Sequence, residues 1–184
     1  MISDLPPTIP LDDARVYCSV EAAARYALPP ELVYAVSITE GGRPGIAVEN
    51  SNGTYDLGYM QFNTAYLKTL SRAGVKASDV QKNSCYSFHL AAWRIRGHLE
   101  ESGQADVFTK AAWYHSRTHE YNIIYRGKLI ENVRRFDFKK ASKFEQALLS
   151  APKASDQVVF EIKGKISTRS DHTDLKVQTW IHAK

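Results

Sequence analysis

The sequence predicts a mainly α-helical domain with a short β-type C-terminal extension. Cys85, Phe88, Ala92, Ile95 and Leu99 recur at spacings of 3, 4, 3 and 4, the period of one buried helix face. Pro29-Pro30, Gly41-Gly42, Gly74 and Gly103 punctuate the first part of the chain where helices start or stop. After about residue 150, "QVVFEIKGKI" and "DLKVQTWIHA" alternate apolar and polar residues with period two, as strands do.

The 184 residues suffice for one sizeable core and a small appendage. Hydrophobic residues make up 43% and charged residues 24%, the balance of a globular domain. No apolar run approaches the length of a membrane span. "MISDLPPTIPLDD" lacks the basic start and apolar stretch of a secretory signal. That leaves a cytoplasmic protein, or a mature exported domain with a new Met1. The net charge is +4, and residues 139–184 hold all of the excess, with 9 Lys and Arg against 5 Asp and Glu. This reads as a solvated surface or as an anion-binding tail.

Residues 1–10, with three prolines, form an extended leader. "LDDARVYCSVEAAARYAL" then reads as a helix with apolar positions at 16, 17, 20, 23 and 24. Pro29 and Pro30 end it and open a second helix, which carries Leu32, Val36 and Glu40 and stops at Gly41. The Gly-, Asn- and Ser-rich segment 41–58 reads as a long loop, a length that usually signals function. A helix capped by Asn63 runs to Gly74, and the periodic core helix runs to Gly103. Two more follow at about 105–115 and 118–136, the last with Tyr121, Ile124, Tyr125, Leu129, Val133 and Phe136 along one side. A linker helix over 139–149 leads to the two strands. The resulting division is a leader (1–10), a helical domain (11–138), and a basic linker helix with a hairpin-like tail (139–184). A hairpin alone is marginal in water, so the tail is expected to pack on the domain or to add to a partner's sheet.

Glu40 is the awkward residue. It shares a helix face with Val36 and Leu32, so a carboxylate continues an apolar stripe at a helix end. Desolvation there would raise its pKa and suit a general acid. A side chain reaching solvent or pairing with Arg43 satisfies the same position. Ten residues on, "NSNGTYDLGYMQFN" (50–63) is dense in amide and aromatic groups, and "AAWYHS" (111–116) stands at a later helix end. Such loops suit a sugar, which offers hydroxyls to bond and flat apolar faces to pack on.

These three elements in this order resemble the lytic transglycosylases, lysozyme-like enzymes of the goose-type/SLT fold that cleave peptidoglycan. The chain shows Glu40-Gly41-Gly42, then Gly58-Tyr59-Met60-Gln61, then Trp113-Tyr114-His115-Ser116. The likeness is strongest to the specialised branch associated with type IV secretion, conjugation and type IV pili, where the loop reads much like "NxNGTYDLGxMQxN" and a "YHS" motif follows. It covers roughly residues 14–136. Gly41 stands where the wider family has serine, and His115 where it has asparagine; both variants are similar to those of the branch. The branch also pairs an early cysteine with one just before the core helix. Cys18 and Cys85 match those places, which implies a disulfide and a periplasmic, exported protein.

The resemblance implies cleavage of the β-1,4 bond between N-acetylmuramic acid and N-acetylglucosamine, with Glu40 as acid and then base and a 1,6-anhydro product. Gln61 would bond the saccharide, Met60 would form groove wall, and Tyr114 and Tyr125 would lie beside the acid. Asn52 and Ser116 would complete the substrate-binding set. Asp56 reads as a loop anchor or as a second carboxylate. His115 and His119 stand four apart, but Thr118 reads as the N-cap between them, so no metal site is expected. The expected partners are peptidoglycan glycan strands and components of a secretion, conjugation or pilus machine. No cofactor, nucleic acid or membrane span is expected. A lysozyme-type hydrolase and a non-enzymatic peptidoglycan-binding assembly component are the competing readings.

Overall fold

A computed structural model describes residues 11–150; the leader and the two strands expected after residue 150 lie outside the described residues. Helix α1 (Leu11–Tyr26) buries Ala14, Cys18, Ala22 and Ala23. These small side chains let α1 lie close along α5 (Ser84–Glu100). Helix α5 supplies the centre of the core through Phe88, Ala92 and Ile95, each 0% exposed. Cys18 and Cys85 are disulfide-bonded, so the two helices are also joined covalently. Helix α2 (Pro30–Glu40) starts with Pro30 in its first turn and ends on Gly41 at φ +67. That left-handed conformation carries no Cβ penalty only in glycine.

The segment expected to be a continuous loop holds a small antiparallel sheet. Strands β1 (Ala47–Glu49), β2 (Tyr55–Leu57) and β3 (Phe62–Asn63) pair in that order, with Val48 opposite Asp56 and Asp56 opposite Asn63. Strands of two and three residues leave no period to read, and β1 is exposed throughout. Asn63 then caps α3 (Thr64–Leu70), its Oδ1 accepting from Ala65 N at 2.9 Å. A 3₁₀ turn (Ser71–Ala73) ends at Gly74 with φ +85. Helix α4 (Ala77–Lys82), absent from the sequence reading, is a single short turn that buries only Val80.

Asp106 opens α6 (Val107–Ala112) by accepting from the Phe108 and Thr109 N–H groups. Helix α7 (His119–Val133) begins after Thr118 and packs along α2. Its expected apolar side divides: Tyr125, Leu129 and Phe136 are buried, whereas Tyr121 and Ile124 are 59% and 60% exposed. Helix α8 (Phe138–Ser150) is no free linker. It packs on α1, with the Phe144 ring edge-on to Tyr17 at 5.4 Å and Lys140 paired with Asp13. The packed helical body therefore continues past the boundary expected at residue 138.

The bridge closes a loop of 67 residues, worth about 4 kcal/mol on the chain-entropy model. Reduction is expected to lower the melting temperature in calorimetry, with no free thiol titratable in the unreduced, denatured protein. Two titratable thiols in oxidised material would contradict the pairing.

Candidate active site

Glu40 occupies the last turn of α2 and is half-buried, while Leu32 and Val36 behind it are at 2% and 0% exposure. A small open cleft of about 130 Å³ lies over its carboxyl group. Helix α2 contributes Thr39 and Glu40, the turn before α7 contributes His115, and α7 contributes Tyr121, Ile124, Tyr125 and Lys128. Two side-chain bonds seat α7 on the end of α2. Tyr125 Oη donates to Glu40 Oε1 at 2.5 Å, and Asn132 Nδ2 donates to Thr39 Oγ1 at 3.0 Å. The His115 ring stacks on Tyr125 at 4.9 Å, with 2° between the planes, and so limits how the tyrosine can turn.

Burial pushes the Glu40 pKa up to about 7. The Tyr125 hydrogen bond and the charges of Arg94 and Lys128 oppose that rise, while Asp56 adds to it. Near neutral pH the group is therefore divided between acid and carboxylate. The same burial raises the Tyr125 and Tyr114 phenols well above their ordinary value, helped by the neighbouring Glu40 charge, so both remain O–H donors.

The turn after α2 is held by contacts that the sequence does not advertise. Gly42 packs so closely on the 58–61 turn that a Cβ would meet Gly58 O at 2.0 Å and Tyr59 O at 2.7 Å. Buried Arg15 reaches over from α1. Its Nη1 donates to Ser37 O at 2.6 Å, its Nη2 donates to Gly42 O, and its guanidinium lies 4.8 Å from the Tyr59 ring centre. One side chain thus bridges the carbonyls on either side of Glu40 and touches the neighbouring turn. Gln61 sits in that turn at φ +47, an uncommon conformation for a non-glycine residue, with Nε2 donating to Gly58 O at 2.8 Å.

Of the expected site residues only Glu40 and Tyr125 line the cleft; Gln61 and the others belong to its scaffold or to the surface. Tyr114 is buried, and its hydroxyl donates to Met60 O at 2.7 Å. Met60 does not form groove wall: at 0% exposure its side chain belongs to the core. Asn52 is at the exposed tip of the β1–β2 turn, where its Oδ1 accepts from Thr54 N and Oγ1. Ser116 Oγ accepts from Thr118 N at 3.1 Å, which shapes the turn into α7. Asp56 Oδ1 accepts from Asn63 Nδ2 at 2.9 Å, a cross-strand anchor made through a side-chain amide instead of backbone N–H groups. The Trp113–Ser116 turn is fastened to the end of α5 by Arg117, which lies 4.4 Å from the Trp113 ring centre and donates to Glu101 Oε1 at 2.5 Å. Glu101 also faces His98 Nδ1 at 3.0 Å. Burial holds the His98 pKa down to about 4, so the ring is neutral near neutral pH. The sequence reading missed Arg15, Thr39 and Lys128 and gave His115 no place in the cleft. Lys128 was the most accessible of these, since it follows Tyr125 by three positions on one helix face.

Residues 17–122 match the family described as Transglycosylase SLT domain. The chain belongs to the transglycosylase SLT family. Among individual members of the curated set, this SLT chain is 30% identical over 76 residues to "Invasion protein IagB" of Salmonella typhimurium, covering 41% of the chain and 48% of that relative. It is 35% identical over 79 residues to "Protein IpgF" of Shigella sonnei, covering 42% of the chain and 52% of that relative. The chain thus spans about half the length of the curated relatives it matches. The mainly helical architecture with one small sheet agrees with a lysozyme-like SLT domain. Tyr125 and Lys128 fall just beyond the matched range.

Gly42→Ala is expected to lower stability by about 1–3 kcal/mol through overpacking, whereas Gly127→Ala, with open space at its Cβ, gains up to about 1 kcal/mol. Thermal melts of the two variants check the pair. Tyr125→Phe removes a bond that favours the Glu40 carboxylate, so the Glu40 pKa is expected to rise further. NMR titration of the labelled carboxyl carbon measures this, and a downward shift would contradict the assignment of that bond.

Proposed function

We propose that this chain is a peptidoglycan lytic transglycosylase in which Glu40 is the catalytic acid and base. The observation that carries the reading is the Glu40 carboxyl group itself: half-buried at the cleft, bonded to Tyr125 at 2.5 Å, with a pKa raised to about 7. A group so poised holds a proton at neutral pH and also takes one back. Neutral Glu40 protonates the glycosidic oxygen as the C1–O bond breaks, and the N-acetylglucosamine side leaves as the alcohol. The resulting carboxylate removes the proton of the muramyl 6-hydroxyl, whose oxygen bonds to C1 and closes the 1,6-anhydro ring. The proton count balances and no water is consumed, so a single carboxylate serves where hydrolases typically use two.

Tyr125 orients the Glu40 oxygens and supports the carboxylate once the proton has left. His115, stacked on that ring, keeps the tyrosine in place. Gln61 presents its amide from the turn that packs on Gly42, and Tyr114 braces that turn through the Met60 carbonyl. Asp56 acts as an anchor of the sheet, its carboxylate engaged with Asn63. The substrate lies outside the cytoplasm, which accords with a periplasmic setting for a chain that carries a disulfide. A relative's name, Invasion protein, supports local wall opening for an envelope-spanning machine as the biological role.

Mass spectrometry of digested peptidoglycan tests the chemistry: anhydro ends support the proposal, new reducing ends indicate hydrolysis, and no products indicate a binding protein. Glu40→Gln is expected to reduce turnover to the uncatalysed background. The same variant has a stability signature. Between the unfolded pKa of about 4.5 and the folded value of about 7, the native state binds more protons than the unfolded state. Wild-type stability therefore falls as pH rises through this window. Glu40→Gln should be more stable than wild type above pH 7, by no more than roughly 3 kcal/mol, and the gap should close below pH 4.5.

A further inference from the structure

Helix α7 presents a second surface to the cleft beside the acid. Tyr121, Ile124 and Lys128 lie along one helix face, three and four residues apart, and all three line the cleft with Glu40. The apolar pattern of α7 is that of a core-facing helix, yet Tyr121 and Ile124 remain 59% and 60% exposed. Nothing in the described body covers them. Lys128 has no carboxylate partner among the described residues, although its charge is felt at both Glu40 and His115. An apolar wall ending in an unpaired ammonium group, continuous with the acid, matches a ligand carrying small alkyl groups close to a carboxylate.

On the reading of Glu40 as the transglycosylase acid, we infer that Tyr121, Ile124 and Lys128 form a subsite for the lactyl arm of the muramyl residue, with or without its stem peptide. The arm is what separates this sugar from N-acetylglucosamine. Its methyl group, and that of an alanine joined to it, pack on Ile124 and the Tyr121 ring. Lys128 pairs with a carboxylate, either that of a peptide-free lactyl group or one further along the stem. This contact places the muramyl residue beside Glu40 and so sets which glycosidic bond is presented to the acid.

Binding measured in the Glu40→Gln protein separates recognition from turnover. Three ligands are titrated calorimetrically: a peptide-free muramyl tetrasaccharide, the same tetrasaccharide bearing stem peptides, and chitotetraose, which has no lactyl arm. Adding Lys128→Met is expected to weaken binding of muramyl ligands about three- to fivefold, the range of a partly exposed ion pair, and to leave chitotetraose unchanged. Lys128→Arg should restore most of the loss, and Ile124→Ser should reproduce the selectivity through a loss that does not vary with salt, while the salt dependence carried by Lys128 remains. A loss with the peptide-free ligand identifies the lactyl carboxylate; a loss confined to the peptide-bearing ligand identifies a stem carboxylate. Equal effects on all three ligands, or none, would overturn the inference. Failure of the wild-type protein to release anhydro products would instead remove the transglycosylase reading and leave the binding selectivity to stand or fall separately.

Discussion

The close contact between the end of α2 and the 58–61 turn is the constraint on which the rest of the site depends. A helix that buries Leu32 and Val36 must stop abruptly if its next stripe residue, Glu40, is to reach a cleft. Gly41 supplies the left-handed stop, and Gly42 allows the chain to pass against the Gly58 and Tyr59 carbonyls at a distance that no side chain permits. Arg15 then bonds the Ser37 carbonyl, which also accepts from the Gly41 N–H, and the Gly42 carbonyl beyond the stop. Backbone geometry, a buried cation and a neighbouring turn are thereby joined in one small volume. The carboxyl group is placed by elements that do not themselves meet the cleft.

The electrostatics of the cleft are a balance of opposing influences. Burial alone would drive Glu40 towards a permanently protonated state, useful for donating a proton once but poor at recovering it. Tyr125, Arg94 and Lys128 pull in the other direction and hold the value near neutrality. The two tyrosines stay protonated because burial, reinforced by the same carboxylate, opposes their ionisation. Each titrating group thus helps to keep its neighbour in the form the proposed chemistry needs.

Much of this was legible in the sequence. The α5 core followed from one unbroken period, and α2 from a proline start and a double-glycine stop. The position of Glu40 followed from counting back to Val36 and Leu32. The β1–β3 sheet was not legible, since its strands are two or three residues long and owe their register to Asn63, Asp56 and the Asn52 turn. Tyr121 and Ile124 misled because an apolar helix face reads identically whether protein or ligand is to cover it. Arg15 was invisible for a different reason: its partners, Ser37 and Gly42, are 22 and 27 positions away, and both receive it through backbone carbonyls that no side-chain pattern encodes. Met60 was misplaced because a motif shows which residues travel together, not which way each one points.

The bond between Tyr125 and Glu40 spans 85 positions of chain, and this separation acts as a safeguard. A nascent polypeptide emerges with its N-terminus first, so Glu40 is exposed to water long before α7 exists to cover it. Until then it is an ordinary carboxylate, ionised at neutral pH and unable to donate a proton. Its altered acidity is a property of the finished tertiary structure. For a protein proposed to cut the wall of the cell that makes it, latency during synthesis is thus built into the order of the chain.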